Sequence, residues 1–447
     1  MVSLKKKAIQ GAAWTFIGYG ASQGLRFAGN LILTRLLIPE YFGLMSLINT
    51  FILGLLLFSD LGIGPSLIQN KRGDDIDFIN TAWTIQVIRG LGLWICGLII
   101  TWPLASFYED SRLLWLIPIV SITTIIQGFN SASIELMKKS LNLGKLTIFE
   151  FISQAISLSV IVTWALISPT VWALVGGNIF AAIIKMAWSH KLIPQLKHQF
   201  TWDREAVREI LSFGKWIFVS TAMTFLASQS DRLILGKLFS FEMLGIYTVA
   251  FTLADLPSQV INRLSGQVIF PLVSKQASQP RAALRKAISP KRWPLLVGMA
   301  LGVAVLFNTG DFIILSLYDE NYEQAAWMLP LLAIGIWPMI LFSLSNSIAL
   351  AVGQSIYGAV GYNFKLIYMI ILVPLCYRAF GLVGAIGAIA LNDILPYSVA
   401  AYGLYREELS FLKQDILATA IMILSVAAIA LARHVFGFEL PISAFLE

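Results

Sequence analysis

The sequence predicts an all-α protein that crosses a membrane many times, and three observations lead to this fold class. Apolar residues make up 57% of the chain and charged residues only 13%, and the mean hydropathy is +0.76. A soluble domain is about 45–50% apolar and about 25% charged, so a chain of this composition could not keep its surface in water. The apolar residues are gathered in thirteen stretches, and segments of the first half recur in the second.

The thirteen stretches each approach or exceed the roughly 20 residues that a helix needs to cross a bilayer. Short polar connections separate them along the 447 residues, which leaves no room for a large domain outside the membrane. We interpret the first stretch as an uncleaved span, because no small-residue cleavage site follows it. The predicted stretches are about 11–33, 41–68, 80–104, 113–135, 146–167, 170–190, 211–236, 243–272, 292–316, 326–350, 357–378, 382–404 and 415–433.

The chain offers little material for metal binding or for histidine-based catalysis. Cys96 and Cys376 lie inside apolar stretches, and His190, His198 and His434 are the only histidines. The glycine-rich signature of a nucleotide-binding P-loop is missing from the sequence. The sequence therefore predicts no metal, no cofactor and no enzymatic activity.

Lysine and arginine are concentrated in alternate connections, for example in residues 5–7, 138–145 and 275–292. The connections between these are richer in acidic residues, such as Glu109 and Asp110. Because basic residues mark the cytoplasmic side of a membrane protein, we predict a cytoplasmic N-terminus. The formal net charge of +7 is then a topological signal, and nucleic-acid binding is the weaker interpretation.

The longest polar segment, 196–216, falls at the middle of the chain. Asp203 can cap a short helix with Val207, Ile210 and Leu211 on one face, which predicts an amphipathic connector along the cytoplasmic surface. The predicted divisions are an N-terminal six-helix lobe 1–195, the connector 196–212, a C-terminal six-helix lobe 213–405, and an additional transmembrane helix with a tail, 406–447.

The two halves are related by an internal repeat. A shift of 202 residues pairs Glu40 with Glu242 within a run of matching residues, and SFYED (106–110) recurs as SLYDE (316–320). The copies lie six stretches apart, so both begin on the same side of the membrane. The sequence thus predicts two parallel six-helix lobes with one extra C-terminal helix, an architecture typical of transporters.

Polar side chains at helical spacing inside two stretches form the first candidate site. Gln23, Arg26 and Asn30 share one face of the first stretch, and Gln259 and Arg263 share a face of the eighth. A charged side chain at the centre of a membrane helix costs at least about 2.5–3.5 kcal/mol, so we expect these faces to line a polar cavity.

Four further charged residues lie singly inside apolar stretches: Arg89, Asp255, Lys365 and Asp393. Each cation could line the same cavity, or could pair with a carboxylate to hold two helices together. Asp255 and Asp393 could carry a coupling ion, or could neutralise a neighbouring cation. The sequence leaves these alternatives open.

Three segments resemble the polysaccharide biosynthesis and export flippases, the Wzx-type branch of the MATE-like MOP superfamily. They are LILTRLLIPEYFGLMSLINTFILGLLLFSDLGIGPSLIQ (31–69), DFINTAW (77–83) and FTWDREAVREILSFG (200–214). The resemblance extends over nearly the whole chain and says nothing about the glycan. Family members often have 12 or 14 spans, so a thirteenth stretch implies either an external C-terminus or a final segment that does not span.

The resemblance implies translocation of an undecaprenyl-pyrophosphate-linked oligosaccharide across the bacterial inner membrane. Its partners would be membrane lipids, a polysaccharide polymerase and glycosyltransferases, and no nucleic acid. Arginine binds phosphate oxygens bidentately and lysine adds a point charge. Arg26, Arg89, Arg263 and Lys365 would suit the pyrophosphate, as inferred from their depth and helical face.

Two other functions compete with this one. A multidrug or metabolite antiporter of the same fold would take cationic substrates and would favour a cavity dominated by carboxylates. A membrane glycan polymerase or ligase would need long outer loops, which the sequence does not provide. The arginines inside the apolar stretches favour an anionic substrate.

Overall fold

The structure of the chain is a computed structural model that describes residues 4–140 and 142–438, with the side chains of 4–13, 15–16 and 213–220 left out. Regular structure within those residues is entirely helical. The helices are α1 Leu4–Leu36, α2 Pro39–Phe58, α3 Ile63–Gln69, α4 Ile76–Tyr108, α5 Leu113–Gly128, α6 Ser133–Lys139, α7 Leu143–Ile167, α8 Val171–Leu192, α9 Arg204–Leu238, α10 Phe241–Ala254, α11 Leu256–Leu264, α12 Phe270–Ser274, α13 Arg281–Leu317, α14 Ala325–Ala351, α15 Ile356–Leu391, α16 Ile394–Arg406 and α17 Leu412–Val435. A π-helix, Ser265–Ile269, joins α11 to α12, and a 3-10 turn, Glu320–Tyr322, precedes α14.

Every predicted stretch is helical, and the prediction of an all-α membrane protein is confirmed. Eight of the described helical segments are long and apolar enough to cross a membrane, and two bent pairs, α5 with α6 and α10 with α11–α12, raise the number to ten. The segment Ile356–Arg406 counts once among the eight although it covers two predicted stretches. Helices α1 and α9, whose side chains are described only in part, are outside this set.

Two of the breaks between helices depend on glycine. Gly62 ends the loop between α2 and α3 with φ 63°, and the Asp60 carboxylate accepts a hydrogen bond from its N–H at 2.9 Å. Gly381 breaks α15 with φ 63° and ψ −146°. Only glycine adopts such angles at little cost, so these residues fix where the apolar chain turns.

The helix boundaries repeat with the offset found in the sequence. Helix α1 ends at Leu36 and α2 begins at Pro39, while α9 ends at Leu238 and α10 begins at Phe241, 202 residues later in each case. The matching ends agree with the predicted internal repeat.

The chain forms two compact units, Met1–Ala222 and Met223–Glu447, and the division falls inside α9. The predicted boundary between connector and second lobe, 212/213, lies ten residues earlier and stays a prediction, as do the other divisions. Residues 439–447 of the predicted tail are outside the described residues.

The predicted connector, 196–212, is non-helical up to Asp203 and continues as the first turns of α9. Ala206 and Ile210 of its first turns are fully buried against Phe78, Ile79 and other core residues of the first unit. Val207 packs against the same cluster, whereas Leu211 is 45% exposed, and the predicted contact of this face with the membrane surface stays a prediction. A spacing of four residues places Ala206 above Ile210, and small Ala206 was not recognised as an apolar contact.

Helix α17 lies beside α13 in the second unit and runs parallel to it. Arg292 and Asp311 of α13 pair with Asp415 and Arg433 of α17, in the same chain direction. Nineteen residues separate the two positions on α13, about 28 Å at 1.5 Å per residue, close to the roughly 30 Å of a hydrocarbon core. The thirteenth stretch therefore follows α13 over a length sufficient to cross a bilayer.

Candidate functional site

The polar face of α1 lies in the first unit, where α1 packs against α7. Gly29 allows the close approach, because a Cβ there would lie 2.6 Å from Leu158 Cδ1. The Gln154 amide of α7 donates to the Ser22 carbonyl at 3.1 Å. Arg26 is exposed on α1 and forms no ion pair with a described residue.

Gln23 and Asn30 flank Arg26 on this face and are partly buried. The Asn30 amide oxygen is buried and has no hydrogen-bond partner among the described residues. An arginine between two amides offers donors and acceptors without a neutralising carboxylate. Such a face can hold an anionic group that also carries hydroxyls.

Arg89 of α4 is anchored on the end of α2. Its Nε donates to Ser59 Oγ at 2.9 Å and its Nη2 donates to the Leu56 carbonyl at 2.5 Å. One turn earlier, the Gln86 amide donates to the carbonyls of Gly128 and Asn130, at 2.9 and 3.2 Å, where α5 ends. Adjacent turns of α4 thus satisfy the free carbonyls of two helix ends.

A cavity of about 230 Å³ lies between these helix ends in the first unit. Arg89 contributes the cation of its wall, and Asp60 and Glu135 contribute carboxylates. Sequence reasoning selected Arg89 but not Glu135 or the capping Gln86. The sequence signal for such capping side chains was the break between two helices. A helix that ends inside an apolar stretch leaves backbone carbonyls that need hydrogen-bond donors.

Lys365 and Asp393, predicted separately, form an ion pair in the second unit. Lys365 Nζ lies 2.7 Å from Asp393 Oδ1, and both residues are more than nine-tenths buried. They line a small cavity of about 40 Å³ with Asp231 of α9. The Tyr247 hydroxyl donates to Asp231 Oδ2 at 2.6 Å.

Asp255 lies at the bend between α10 and α11. Its carboxylate accepts hydrogen bonds from Ser258 Oγ and, at 3.1 Å, from the Gln259 amide. The predicted pair Gln259 and Arg263 lies on α11, where Arg263 is partly buried. The Asp255 carboxylate is thus bound by side chains of the first turn of α11, and its proposed role with a coupling ion stays a prediction.

The most buried ion pair among the described residues was missed by sequence reasoning. Arg292 is fully buried, and its Nη1 lies 2.6 Å from Asp415 Oδ1. The Arg292 guanidinium also lies 5.2 Å from the centre of the Phe411 ring, and the Tyr397 hydroxyl donates to Asp415 Oδ2 at 3.0 Å. Arg292 borders a basic connection and was counted with it. An acidic residue at the start of an apolar stretch, Asp415, was the available signal.

A second missed pair joins the other ends of the same helices. Arg433 lies 2.8 and 2.7 Å from the two carboxylate oxygens of Asp311, a bidentate geometry. Both side chains are largely buried. Together the pairs fix the register of α17 against α13.

Charged residues outside the apolar helices fasten the connector to the first unit. Arg72, after α3, lies 2.5 Å from Asp203 and within 3.5 Å of Asp75, Glu205 and Glu209. The hydrogen bond with Arg72 lowers the pKa of the Asp203 carboxyl, and the same bond raises the pKa of Arg72.

His198 of the connector stacks on Trp83, with ring centres 5.1 Å apart. Its Nε2 lies 2.9 Å from Ser131 Oγ and accepts from the Ala132 N–H at 3.3 Å. Burial, with a smaller contribution from nearby His190, lowers the pKa of His198 to about 4. This histidine is therefore neutral at pH 7.

Comparison with known proteins shows which family the chain belongs to. A model of the family described as polysaccharide biosynthesis protein matches residues 32–327, about two thirds of the sequence. The chain belongs to this family. The resemblance noted in residues 31–69 and 77–83 is thereby confirmed.

Relatives in this family come from several bacteria. The teichuronic acid biosynthesis protein TuaB of Bacillus subtilis (strain 168) is 23% identical over 79% of this chain and 73% of its own. The lipopolysaccharide biosynthesis protein WzxC of Escherichia coli (strain K12) is 23% identical over 89% of this chain and 82% of its own. The succinoglycan biosynthesis transport protein ExoT of Rhizobium meliloti (strain 1021) is 21% identical over 74% of this chain and 66% of its own.

Solved structures share the fold. The lipid II flippase MurJ, in an inward closed conformation, has a TM-score of 0.71 and 13% identity, with coverage of 96% of this chain and 93% of its own. An inward-facing multidrug resistance MATE family transporter of the MOP superfamily has a TM-score of 0.60 and 13% identity, with coverage of 89% and 95%. The protein is a multi-pass membrane protein of polysaccharide biosynthesis with the fold of MOP-superfamily transporters.

Proposed function

We propose that this protein moves an undecaprenyl-pyrophosphate-linked oligosaccharide from the cytoplasmic to the outer leaflet of the bacterial inner membrane. The product would serve assembly of a surface polysaccharide such as O-antigen, capsule or exopolysaccharide. Family membership carries the proposal, supported by relatives that are named for lipopolysaccharide biosynthesis and succinoglycan transport. The lobes 1–195 and 213–405 would alternate access, and the N-terminus would be cytoplasmic. A polysaccharide polymerase and glycosyltransferases would act beside it.

The pyrophosphate is assigned to cations on α1 and α11. Arg26 is supported because it is exposed between Gln23 and Asn30 and forms no ion pair with a described residue. Arg263, one turn after Gln259 on α11, is the corresponding choice in the second unit, although the repeat does not pair it with Arg26. Arg89 and Lys365 remain in the proposed set, although Arg89 is bound to Ser59 and Leu56 and Lys365 to Asp393.

A multidrug antiporter is the second candidate, because MATE transporters share the fold. A cationic drug needs carboxylates that are free of cationic partners, whereas Asp393, Asp415 and Asp311 each pair with a cation. The exposed Arg26 supports an anionic substrate instead. We therefore prefer the lipid-linked glycan.

Deletion of the gene in its native host tests the proposed function directly. We expect loss of the surface polymer and accumulation of an undecaprenyl-pyrophosphate oligosaccharide on the cytoplasmic leaflet, measured by lipid extraction and accessibility to a membrane-impermeant reagent. Normal surface glycan without a trapped lipid intermediate would contradict the proposal and would direct attention to drug-efflux assays.

Two substitutions test the site. Arg26→Ala and Arg263→Ala are expected to abolish glycan export at an unchanged protein level, because each removes a cation proposed to bind pyrophosphate. Lys71→Ala removes another exposed cation, from the loop after α3, and serves as the matched control. Export that survives both arginine substitutions would refute the pyrophosphate assignment.

A further inference from the structure

Three ionisable side chains line the small cavity of the second unit. The proposed substrate site does not explain why all three lie around one cavity. Asp231, Lys365 and Asp393 are 5%, 9% and 7% exposed, and all three line the cavity of about 40 Å³. A site of this size holds a few water molecules, at about 10–15 Å³ each. The three groups therefore border the same small space.

The polar atoms left without partners around this cavity are acceptors. Asp231 Oδ1 and Asn392 Oδ1 are buried and have no hydrogen bond in the described chain, and both residues are more than nine-tenths buried. Arg232 Nη1 lies 4.0 Å from Asp231 Oδ1, too far for a hydrogen bond, and donates to Gln229 instead. A buried unpaired acceptor costs about 1–3 kcal/mol, and more when it is charged. Both oxygens therefore lack a hydrogen-bond donor, while Arg232 is the cation nearest to Asp231.

Lys365 is the donor already present in this cavity. Its ammonium carries three N–H groups on a flexible four-carbon stem. The structure gives it one partner, Asp393 Oδ1. A metal ion placed beside this ammonium would meet strong repulsion in a buried site, where charges interact more strongly than in water.

The charged and titratable groups around Lys365 come from all but one of the neighbouring helices. Helix α14 contributes none. The groups that face the cavity or its lining residues are Asp231 and Arg232 of α9, Tyr247 of α10, Asp255 at the end of α10, Tyr362 of α15, and Asp393 before α16.

We propose that Lys365 is a tethered cation with two positions, one on Asp393 and one on the acceptors of Asp231 and Asn392. When the ammonium moves to Asp231, a proton from the aqueous phase binds the Asp393 carboxylate that it leaves. When the ammonium returns, Asp393 releases that proton. The role of this exchange in driving transport rests on the proposed function, whereas the exchange itself does not.

The cost of an unpaired charge links the two movements. A buried carboxylate without a cation is far less stable than the neutral acid, so Asp393 cannot stay ionised when Lys365 leaves. Asp231 differs because Arg232 Nη1 lies 4.0 Å from its Oδ1 while Lys365 is on Asp393. In its second position Lys365 satisfies Asp231 Oδ1 and Asn392 Oδ1. Proton uptake and lysine movement are therefore one event.

Infrared spectroscopy of the full-length protein in lipid bilayers tests the exchange through the carboxylic-acid C=O stretch. Compared with the wild-type protein at about pH 8, Lys365→Gln should gain a buried carboxylic-acid band because Asp393 then has no cation. Lys365→Gln combined with Asp393→Asn should lose this band. Acidification should produce the band in the wild type, and Asp231→Asn should shift its midpoint to lower pH because the ammonium has no second anion to occupy.

Two results would overturn the proposal. One is a Lys365→Gln band that persists when Asp393 is also replaced. The other is a wild-type titration that shifts when sodium chloride replaces choline chloride, since a metal ion would then occupy the acceptors. If Lys365→Gln does not fold, the wild type and Asp231→Asn test the same exchange, and equal midpoints would refute it. These spectra require no glycan. The proposed function is tested separately, by whether cells that lack the protein still export the glycan.

Discussion

In the second unit, Lys365, Arg292 and Arg433 each face a carboxylate from another helical segment, whereas Arg26 and Arg89 of the first unit form no ion pair with a described residue. Arg292 and Arg433 therefore hold α17 in register against α13, and Lys365 joins α15 to the start of α16. Arg89 holds a helix end through neutral oxygens, and Arg26 is left for a ligand. The role of a charged residue inside an apolar helix thus depends on the group that it contacts.

The largest expected effect comes from breaking the most buried pair. Arg292→Ala leaves Asp415 buried without a cation and should reduce stability by about 3–5 kcal/mol. Thermal unfolding of the detergent-solubilised protein measures this loss. Replacing both residues, Arg292→Met with Asp415→Leu, should recover most of the stability. A single substitution without effect would contradict the view that this pair joins α17 to α13.

A smaller effect is expected where the cation binds neutral oxygens. Arg89→Lys cannot reproduce both hydrogen bonds to Ser59 Oγ and the Leu56 carbonyl, and should reduce stability by about 1–3 kcal/mol. Arg26→Lys should leave the melting temperature unchanged, because Arg26 has no described partner to lose. Equal losses in the two variants would remove the distinction between an anchoring and a ligand-binding arginine.

Acid should loosen the connector through His198. The pKa of about 4 in the folded protein is below the unfolded value of about 6.5, so the unfolded chain binds more protons between these values. The stabilisation is complete above pH 6.5 and is lost as the pH falls towards 4. His198→Phe keeps a ring against Trp83 but cannot titrate. Its melting temperature should fall less than that of the wild type between pH 7 and pH 5, and parallel curves would exclude His198 as the cause.

The smallest effect is expected from the exposed cluster of Arg72. Arg72→Ala removes contacts with Asp203 and Asp75 that water and salt already screen. A slight loss of stability should appear at low ionic strength and disappear at high salt. An effect that persists in high salt would show that Arg72 acts through packing on Phe78, whose ring centre lies 5.8 Å from its guanidinium.

The helices were predictable because the bilayer imposes long apolar stretches, and each of the thirteen is helical. The breaks inside them were not, since Asp60 and Gly62 interrupt a run that is apolar on both sides. Gly381 likewise turns the chain within what is otherwise a single helix. A one-dimensional apolar pattern does not contain the backbone angles that such residues adopt.

The candidate site was only partly predictable for a related reason. Depth in an apolar stretch identified Lys365 and Asp393 as unusual, but it could not show that they contact each other across 28 residues of sequence. Arg292 was missed because it follows basic Lys291 and was counted with the basic connection. Residue type predicts the cost of burial, while the identity of the partner depends on tertiary packing.

The two ion pairs between α13 and α17 also constrain how the protein is made. Helix α17 carries Asp415 near one end and Arg433 near the other, and both find their partners on α13. Released alone into lipid, α17 would expose both charges to hydrocarbon or pull them into the headgroups. Helix α13, synthesised earlier, presents the complementary charges in the matching order. Stable insertion of α17 therefore waits for α13, and the order of synthesis becomes the order of assembly.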